Sequence, residues 1–151
     1  MAKLEKGNTA PAITAKNQDG GIVNLSDLLG KKVVLYFYPQ DDTPTCTTEA
    51  CNLRDNYKSL QKQGYIVLGV SPDSEKKHQK FIKKYNLPFD LLADTDLKIC
   101  NDYGVWAEKT TFGKTYMGVV RTTFLIDEQG KISEIIDKVV SKEHTGQILG
   151  F

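Results

Sequence analysis

Two hydrophobic rhythms alternate along the chain. Val33-Val34-Leu35-Tyr36-Phe37-Tyr38 is an unbroken β-branched and aromatic run, the pattern of a strand covered on both faces. After it, Cys46, Ala50, Leu53, Tyr57 and Leu60 recur every three or four positions, which predicts a helix over 46–63. The rhythm then repeats. Tyr65 to Val70 is a second apolar strand, and Ser74 opens a helix with Phe81, Ile82 and Tyr85 on its inner face. Pro88 precedes a short strand at 89–92, and Asp94 or Thr95 caps a helix through Tyr103, closed by Gly104.

The two ends follow a different pattern. Residues 10–25 alternate around Asp19-Gly20-Gly21 and predict a β-hairpin, followed by a short helix from Ser26 to Leu29. Strands at 122–126 and 131–136 flank the turn Asp127-Glu128-Gln129-Gly130, and a short helix is expected from Ser141. The order strand, helix, strand, helix, strand, helix, hairpin predicts an α/β domain with a mixed central sheet. With no repeat or linker in view, the whole of 1–151 is expected to form one domain.

Composition narrows the function by exclusion. A net charge of +1 gives no electrostatic reason to expect nucleic acid or an anionic membrane as partner. The N-terminal MAKLEKGNTAPAI holds no apolar run of signal-peptide length, and no segment approaches a membrane span. Three cysteines without a secretory signal argue for the reducing cytosol, where a close cysteine pair is more often catalytic or metal-binding than structural.

Two of those cysteines, Cys46 and Cys51, sit where the first central strand hands over to its helix. Open α/β sheets place ligand sites at such carboxyl ends. An iron–sulfur run of the plant type needs a third cysteine at position 54, which is Arg54, and zinc needs partners that the isolated His78 and His144 do not supply. No metal or other cofactor is therefore expected. A thioredoxin-type dithiol uses two intervening residues, whereas four stand here. The bland alternative is that Cys46 is a core residue on the apolar stripe.

Its position argues for more. In the first helical turn, free N–H groups and the positive end of the dipole favour a thiolate. Asp41, Asp42 and Glu49 oppose it, so a fixed cation, an arginine, is required at the sulfur. Five residues of helix turn through about 140° and separate Cα atoms by roughly 8–9 Å, while a disulfide needs less than about 7 Å. If both cysteines are helical, they bond only after that helix unwinds locally. A thiol that reacts first and is resolved afterwards by a neighbour is redox-enzyme behaviour.

These residues resemble a known family. Pro39-x-x-x-Thr43-x-x-Cys46 is similar to the peroxiredoxin signature, and Thr43-Pro44-x-Cys46-x-x-Glu49-Ala50-Cys51 resembles its bacterioferritin comigratory protein, or peroxiredoxin Q, branch. Asn52-Leu53-Arg54-Asp55, Phe112-Gly113-Lys114-Thr115-Tyr116-Met117-Gly118 and Arg121-Thr122-Thr123-Phe124-Leu125-Ile126-Asp127 extend the resemblance over about residues 5–145. It implies a thioredoxin-like fold with an N-terminal extension, and reduction of hydrogen peroxide and organic hydroperoxides. By the same resemblance Cys46 is the peroxidatic cysteine and Cys51 the resolving one. Thr43 binds the peroxide, Pro39 shields the sulfur, Arg121 contacts peroxide and thiolate, and Glu49 orients Arg121. Thioredoxin or a similar dithiol is the implied reductant, and a monomer the implied state.

The remaining candidates receive ordinary roles. Cys100, beside Leu97 and Ile99, is expected to be a buried structural thiol. His78 is expected on an ordinary helix face and His144 in solvent. The lysines at 76, 77, 80, 83 and 84 form a solvated face, and Trp106, Phe112, Tyr116 and Met117 serve as core or pocket wall. A redox sensor or holdase, and a protein thiol–disulfide oxidoreductase, remain open as rivals that share the Cys46 chemistry.

Overall fold

A computed structural model describes residues 4–150. The hydrophobic run lies at its centre as β3 (Lys32–Phe37), buried on both faces. One set of its side chains, Val33, Leu35 and Phe37, packs with Leu68, Val70, Tyr103 and Phe124. The alternate set, Val34 and Tyr36, followed by Tyr38, packs with Cys46, Ala50, Leu53, Leu60 and Phe81. The two-residue strand period divides one apolar run between two cores.

Around it, β4 (Tyr65–Ser71) and β5 (Asp90–Ala93) extend the sheet in parallel, while β8 (Thr122–Ile126) and β9 (Ile132–Ile136) extend it antiparallel on the other side. The order β5-β4-β3-β8-β9, with flanking helices and an N-terminal hairpin of β1 (Thr14–Lys16) and β2 (Ile22–Asn24), is the thioredoxin-like arrangement expected. Gly69 on β4 is the point of closest approach. A Cβ there would stand 2.7 Å from the Leu91 side chain and 2.9 Å from the Tyr36 ring.

The helix expected over 46–63 is two helices, α1 (Pro44–Asp55) and α2 (Tyr57–Lys62). It begins earlier because Pro44 occupies a first-turn position where its missing N–H costs nothing. It breaks at Asn56, whose side chain donates to the Asn52 carbonyl at 2.8 Å and competes with the helical ladder. Beyond them lie α3 (Glu75–Tyr85), capped by the Ser74 hydroxyl, α4 (Lys98–Asp102) and α5 (His144–Leu149). The fourth helix starts at Lys98, later than a cap at Asp94 or Thr95 implies, with Leu97 in the N-cap position; the Asp94 carboxylate still accepts from the Ile99 and Cys100 amides at 3.0 and 2.8 Å.

The sequence gives no expectation for one element, a separate two-stranded arm of β6 (Trp106–Thr111) and β7 (Lys114–Val119). Its tip, Phe112-Gly113, has positive φ at both residues, as a primed hairpin turn requires. Phe112 is fully exposed, Tyr116 and Met117 are about half exposed, and Trp106 is partly buried. The core or pocket-wall role expected for Phe112, Tyr116 and Met117 is therefore corrected: the outer part of the arm projects into solvent, while its base at Trp106 and Val119 packs against the core.

Candidate active site

Strand pairing decides which residues meet. Phe37, the last residue of β3, is paired with Thr122, the first of β8. Arg121, one position earlier, therefore arrives beside the carboxyl end of β3, where the chain turns into α1. There its Nη2 donates to Cys46 Sγ at 3.0 Å and its Nη1 to Glu49 Oε1 at 2.5 Å. Cys46 and Glu49, three positions apart, share one face of α1 and take hold of one guanidinium from two directions. This supplies the cation that the sequence requires at the sulfur.

The start of α1 contributes its own polarity. Thr43 is the N-cap residue, but its side chain does not cap; its hydroxyl donates to the Gln40 carbonyl at 3.1 Å. The first helical bond runs from the Thr47 amide to the Thr43 carbonyl at 2.8 Å. The Thr45 and Cys46 amides thus have no intrahelical acceptor. Pro39 is half-buried on the same turn, and no hydrogen bond joins Thr43 to the sulfur. Cys46 is only 1 % exposed, while Pro39, Thr43 and Arg121 beside it are partly exposed.

The two aspartates of the turn face away from the sulfur's needs. Asp41 accepts from Tyr38 Oη at 2.6 Å, lies 2.6 Å from His78 Nδ1, and donates its amide to Asp73 at 2.7 Å. His78 Nε2 bonds the Leu92 carbonyl at 3.0 Å. Asp42, at positive φ, binds Lys84 and Tyr85, each at 2.8 Å, and these partners, Lys84 first, hold its carboxyl below the ordinary value. The pre-helix turn is thereby stapled to α3. Asp41, Asp73 and His78 bring potential ligand atoms within 4.8 Å of one another, but each is already engaged by a protein partner.

Both histidine expectations are corrected. His78 is fully buried; its spacing from Phe81 and Ile82 was the available signal. His144 is also fully buried, 2.7 Å from Thr123 Oγ1, 2.9 Å from Gln147 Oε1 and 3.5 Å from Glu49 Oε2. Burial pushes Glu49 up to about 7 against the pull of Arg121. Burial also lowers His144, helped by the Arg121 charge and opposed by Gln147. Arg121 is raised: burial works against its charge, but Glu49 and Cys46 outweigh it.

Cys51 is half-buried and free, on the same unbroken helix as Cys46. Next to it, Asn52 clamps α1 to the C-terminal segment. Its Nδ2 donates to the Lys142 carbonyl at 2.8 Å and its Oδ1 accepts the Thr145 amide at 2.8 Å. Sequence reasoning assigned Asn52 no role, because its partners lie some ninety residues away. Cys100 is buried as expected, its thiol pushed up by burial and by Asp94.

A thioredoxin-like sheet with a cysteine in the first turn of the helix after its central strand, and a guanidinium on that sulfur, defines a thiol-based redox enzyme. Comparison with known proteins agrees. Residues 6–135 match the AhpC/TSA family. The chain is 52% identical to "Putative peroxiredoxin bcp" of Coxiella burnetii, with 97% of each chain covered. It is 48% identical to "Peroxiredoxin Bcp" of Bacillus subtilis, covering 97% of this chain and 93% of the other. Among solved structures, a cysteine-to-serine mutant of Xylella fastidiosa PrxQ superposes with a TM-score of 0.92 at 30% identity, covering 99% and 96%. Xanthomonas campestris Peroxiredoxin Q gives 0.86 at 34% identity, covering 91% and 87%. The chain belongs to the AhpC/TSA family, in its peroxiredoxin Q/Bcp branch, and is a thiol peroxidase. No described helix is long and apolar enough to cross a membrane.

Proposed function

We propose that this single-domain protein reduces hydrogen peroxide and organic hydroperoxides in the cytoplasm as a monomer, through Cys46 and Cys51. The observation that carries the reading is the Arg121 guanidinium, held at 3.0 Å from Cys46 Sγ and 2.5 Å from Glu49. The Cys46 thiolate attacks the nearer peroxide oxygen; the S–O bond forms as the O–O bond breaks, and the departing alkoxide or hydroxide takes a proton. Arg121 and the Cys46 amide face the charge that develops. The Thr43 hydroxyl, its hydrogen given to Gln40, offers lone pairs to the peroxide O–H and so orients it, while Pro39 limits water at the sulfur.

The product, a Cys46 sulfenic acid, condenses with the Cys51 thiol; a disulfide forms and water leaves. Because both cysteines lie within α1, this step follows local unwinding. Thioredoxin or another small dithiol then restores both thiols, which suits a reducing compartment. The test is peroxide consumption coupled to thioredoxin and its reductase, with Cys46→Ser as control. Sustained turnover lost in Cys46→Ser supports the reading and separates an enzyme from a redox sensor, whereas full activity in Cys46→Ser overturns it. A mass loss of two hydrogens after one equivalent of peroxide, absent in Cys51→Ser, tests the pairing; a Cys46–Cys100 bond would refute it.

A further inference from the structure

Glu49 presents an unresolved polar atom. Its Oε1 accepts from Arg121, but Oε2 is fully buried without a hydrogen-bond partner. The group nearest to satisfying it is His144 Nε2, at 3.5 Å. The state of that imidazole can be read from its other side. Gln147 Nε2 donates to the Lys138 carbonyl and Gln147 Oε1 accepts the Val140 amide, each at 2.9 Å, which fixes the amide orientation. His144 Nδ1, 2.9 Å from that same Oε1, must therefore carry hydrogen. In the neutral ring Nε2 is then an acceptor, and the Thr123 hydroxyl at 2.7 Å donates to its single lone pair, so the imidazole offers no donor to Glu49 Oε2 at 3.5 Å. A buried carboxylate oxygen that no donor reaches is unfavourable, and a proton held on Glu49 removes the charge left unpaired there.

We propose that Glu49, beside a neutral His144, stores one proton while Cys46 is a thiolate and gives it up when the sulfur is oxidised, so that the peroxide step takes little or no proton from solvent. The inference rests on Cys46 being the peroxidatic thiol. The charged and titratable groups around the pair are Arg121 ahead of β8, Cys46 on α1, Tyr36 on β3, and His144 itself on α5. Tyr36 Oη is also buried and without a partner, and its ionisation is pushed well up by burial and by Glu49, so it stays neutral. One positive guanidinium thus serves two potential anions, the sulfur and the carboxylate. While the sulfur holds a negative charge, the proton remains on Glu49, and the cluster of thiolate, guanidinium and carboxylic acid is neutral. Conversion to sulfenic acid removes the charge on sulfur. Arg121 is then free to pair with a Glu49 carboxylate, and the proton leaves. The balance is thiolate plus Glu49 acid plus ROOH giving sulfenic acid plus Glu49 carboxylate plus ROH. The alkoxide released at O–O cleavage receives one proton and the enzyme supplies one. Burial that raises the carboxyl and lowers the imidazole supports keeping the proton on Glu49.

Stopped-flow mixing of the reduced protein with one equivalent of peroxide, in weak buffer with a pH indicator near pH 6.5, reads the proton count. Thiolate ultraviolet absorbance is followed in parallel, and mass analysis confirms oxidation of Cys46. Well under half a proton should be taken up per thiolate oxidised, and Glu49→Gln should take up about one. His144→Phe keeps the site apolar and leaves Glu49 as the sole holder of the proton, so its uptake should stay near that of the unsubstituted protein. The infrared oxidised-minus-reduced spectrum of the unsubstituted chain should show loss of a protonated-carboxyl C=O band, a readout independent of whether the variants fold. A full proton taken up by the unsubstituted protein, absence of a reduced-state thiolate, or no carboxyl band overturns the proposal. Uptake of about one proton by a folded His144→Phe would place the stored proton on His144 and overturn its assignment to Glu49. Failure of Cys46 to oxidise at all would instead strike the peroxidatic reading itself.

Discussion

Asn52→Ala should accelerate formation of the Cys46–Cys51 disulfide without changing the step that makes the sulfenic acid. The Asn52 side chain makes two cross-links to the C-terminal segment, to the Lys142 carbonyl and the Thr145 amide, both at 2.8 Å. Its own carbonyl, which also receives the Thr145 hydroxyl at 3.3 Å, is unaffected by the substitution. At about 0.5–1.5 kcal/mol net each, the two lost bonds contribute about 1–3 kcal/mol to holding α1 folded next to Cys51. If unwinding limits resolution, the unwound population and the resolution rate rise by about 5- to 150-fold. The assay is acid-quenched mass analysis after a pulse of one equivalent of peroxide, which follows sulfenic acid and disulfide separately. Over-oxidation of Cys46 under excess peroxide should fall in parallel, since the sulfenic acid is shorter-lived. An unchanged or slower disulfide step would mean that the clamp does not hold the resolving region closed.

Other expectations follow from the same contacts. Arg121→Lys keeps the charge but loses the fork that spans Cys46 and Glu49; the rate constant with peroxide should fall by about 10²–10³-fold, checked by stopped-flow under single turnover. Glu49 binds its proton more tightly folded than unfolded, so unfolding free energy should decline as pH rises from 4.5 to about 7. At 1.36 kcal/mol per pH unit that decline is about 3 kcal/mol. Denaturant unfolding should therefore find Glu49→Gln more stable than the parent at pH 8, by about that amount beyond any difference at pH 4. Phe112→Ala, at the fully exposed tip of the arm, should leave the relative rates with small and bulky hydroperoxides unchanged in the coupled assay.

The central strand was legible in sequence because burial on both faces leaves one unbroken apolar run at Val33–Tyr38. The candidate site's geometry was legible because most of its residues crowd into 39–51 and because a cysteine among carboxylates calls for a cation, which Arg121 supplies at 3.0 Å. The β6–β7 arm escaped because Phe112-Gly113 lacks the usual Asn or Asp at the turn, and a two-stranded ribbon buries no regular stripe. His78 and His144 were hidden by their neighbours. Each sits among lysines or other polar residues in sequence, while its partners Asp41, Leu92, Thr123 and Glu49 come from other elements. A histidine's burial depends on such distant acceptors, and local periodicity carries only a weak trace of them.

The pairing of Phe37 with Thr122 has a bearing on how this chain tolerates changes of length. Side chains alternate across a strand, so a single-residue slip of β8 against β3 would carry the guanidinium to the opposite side of the sheet. The one irregularity in β8 lies at Leu125/Ile126 in its pairing with β9, leaving its alignment with β3 uninterrupted. A residue inserted in the 127–130 turn is thus absorbed at the periphery. One inserted between Thr122 and Leu125 would separate sulfur from cation while leaving the amino-acid composition of the centre intact.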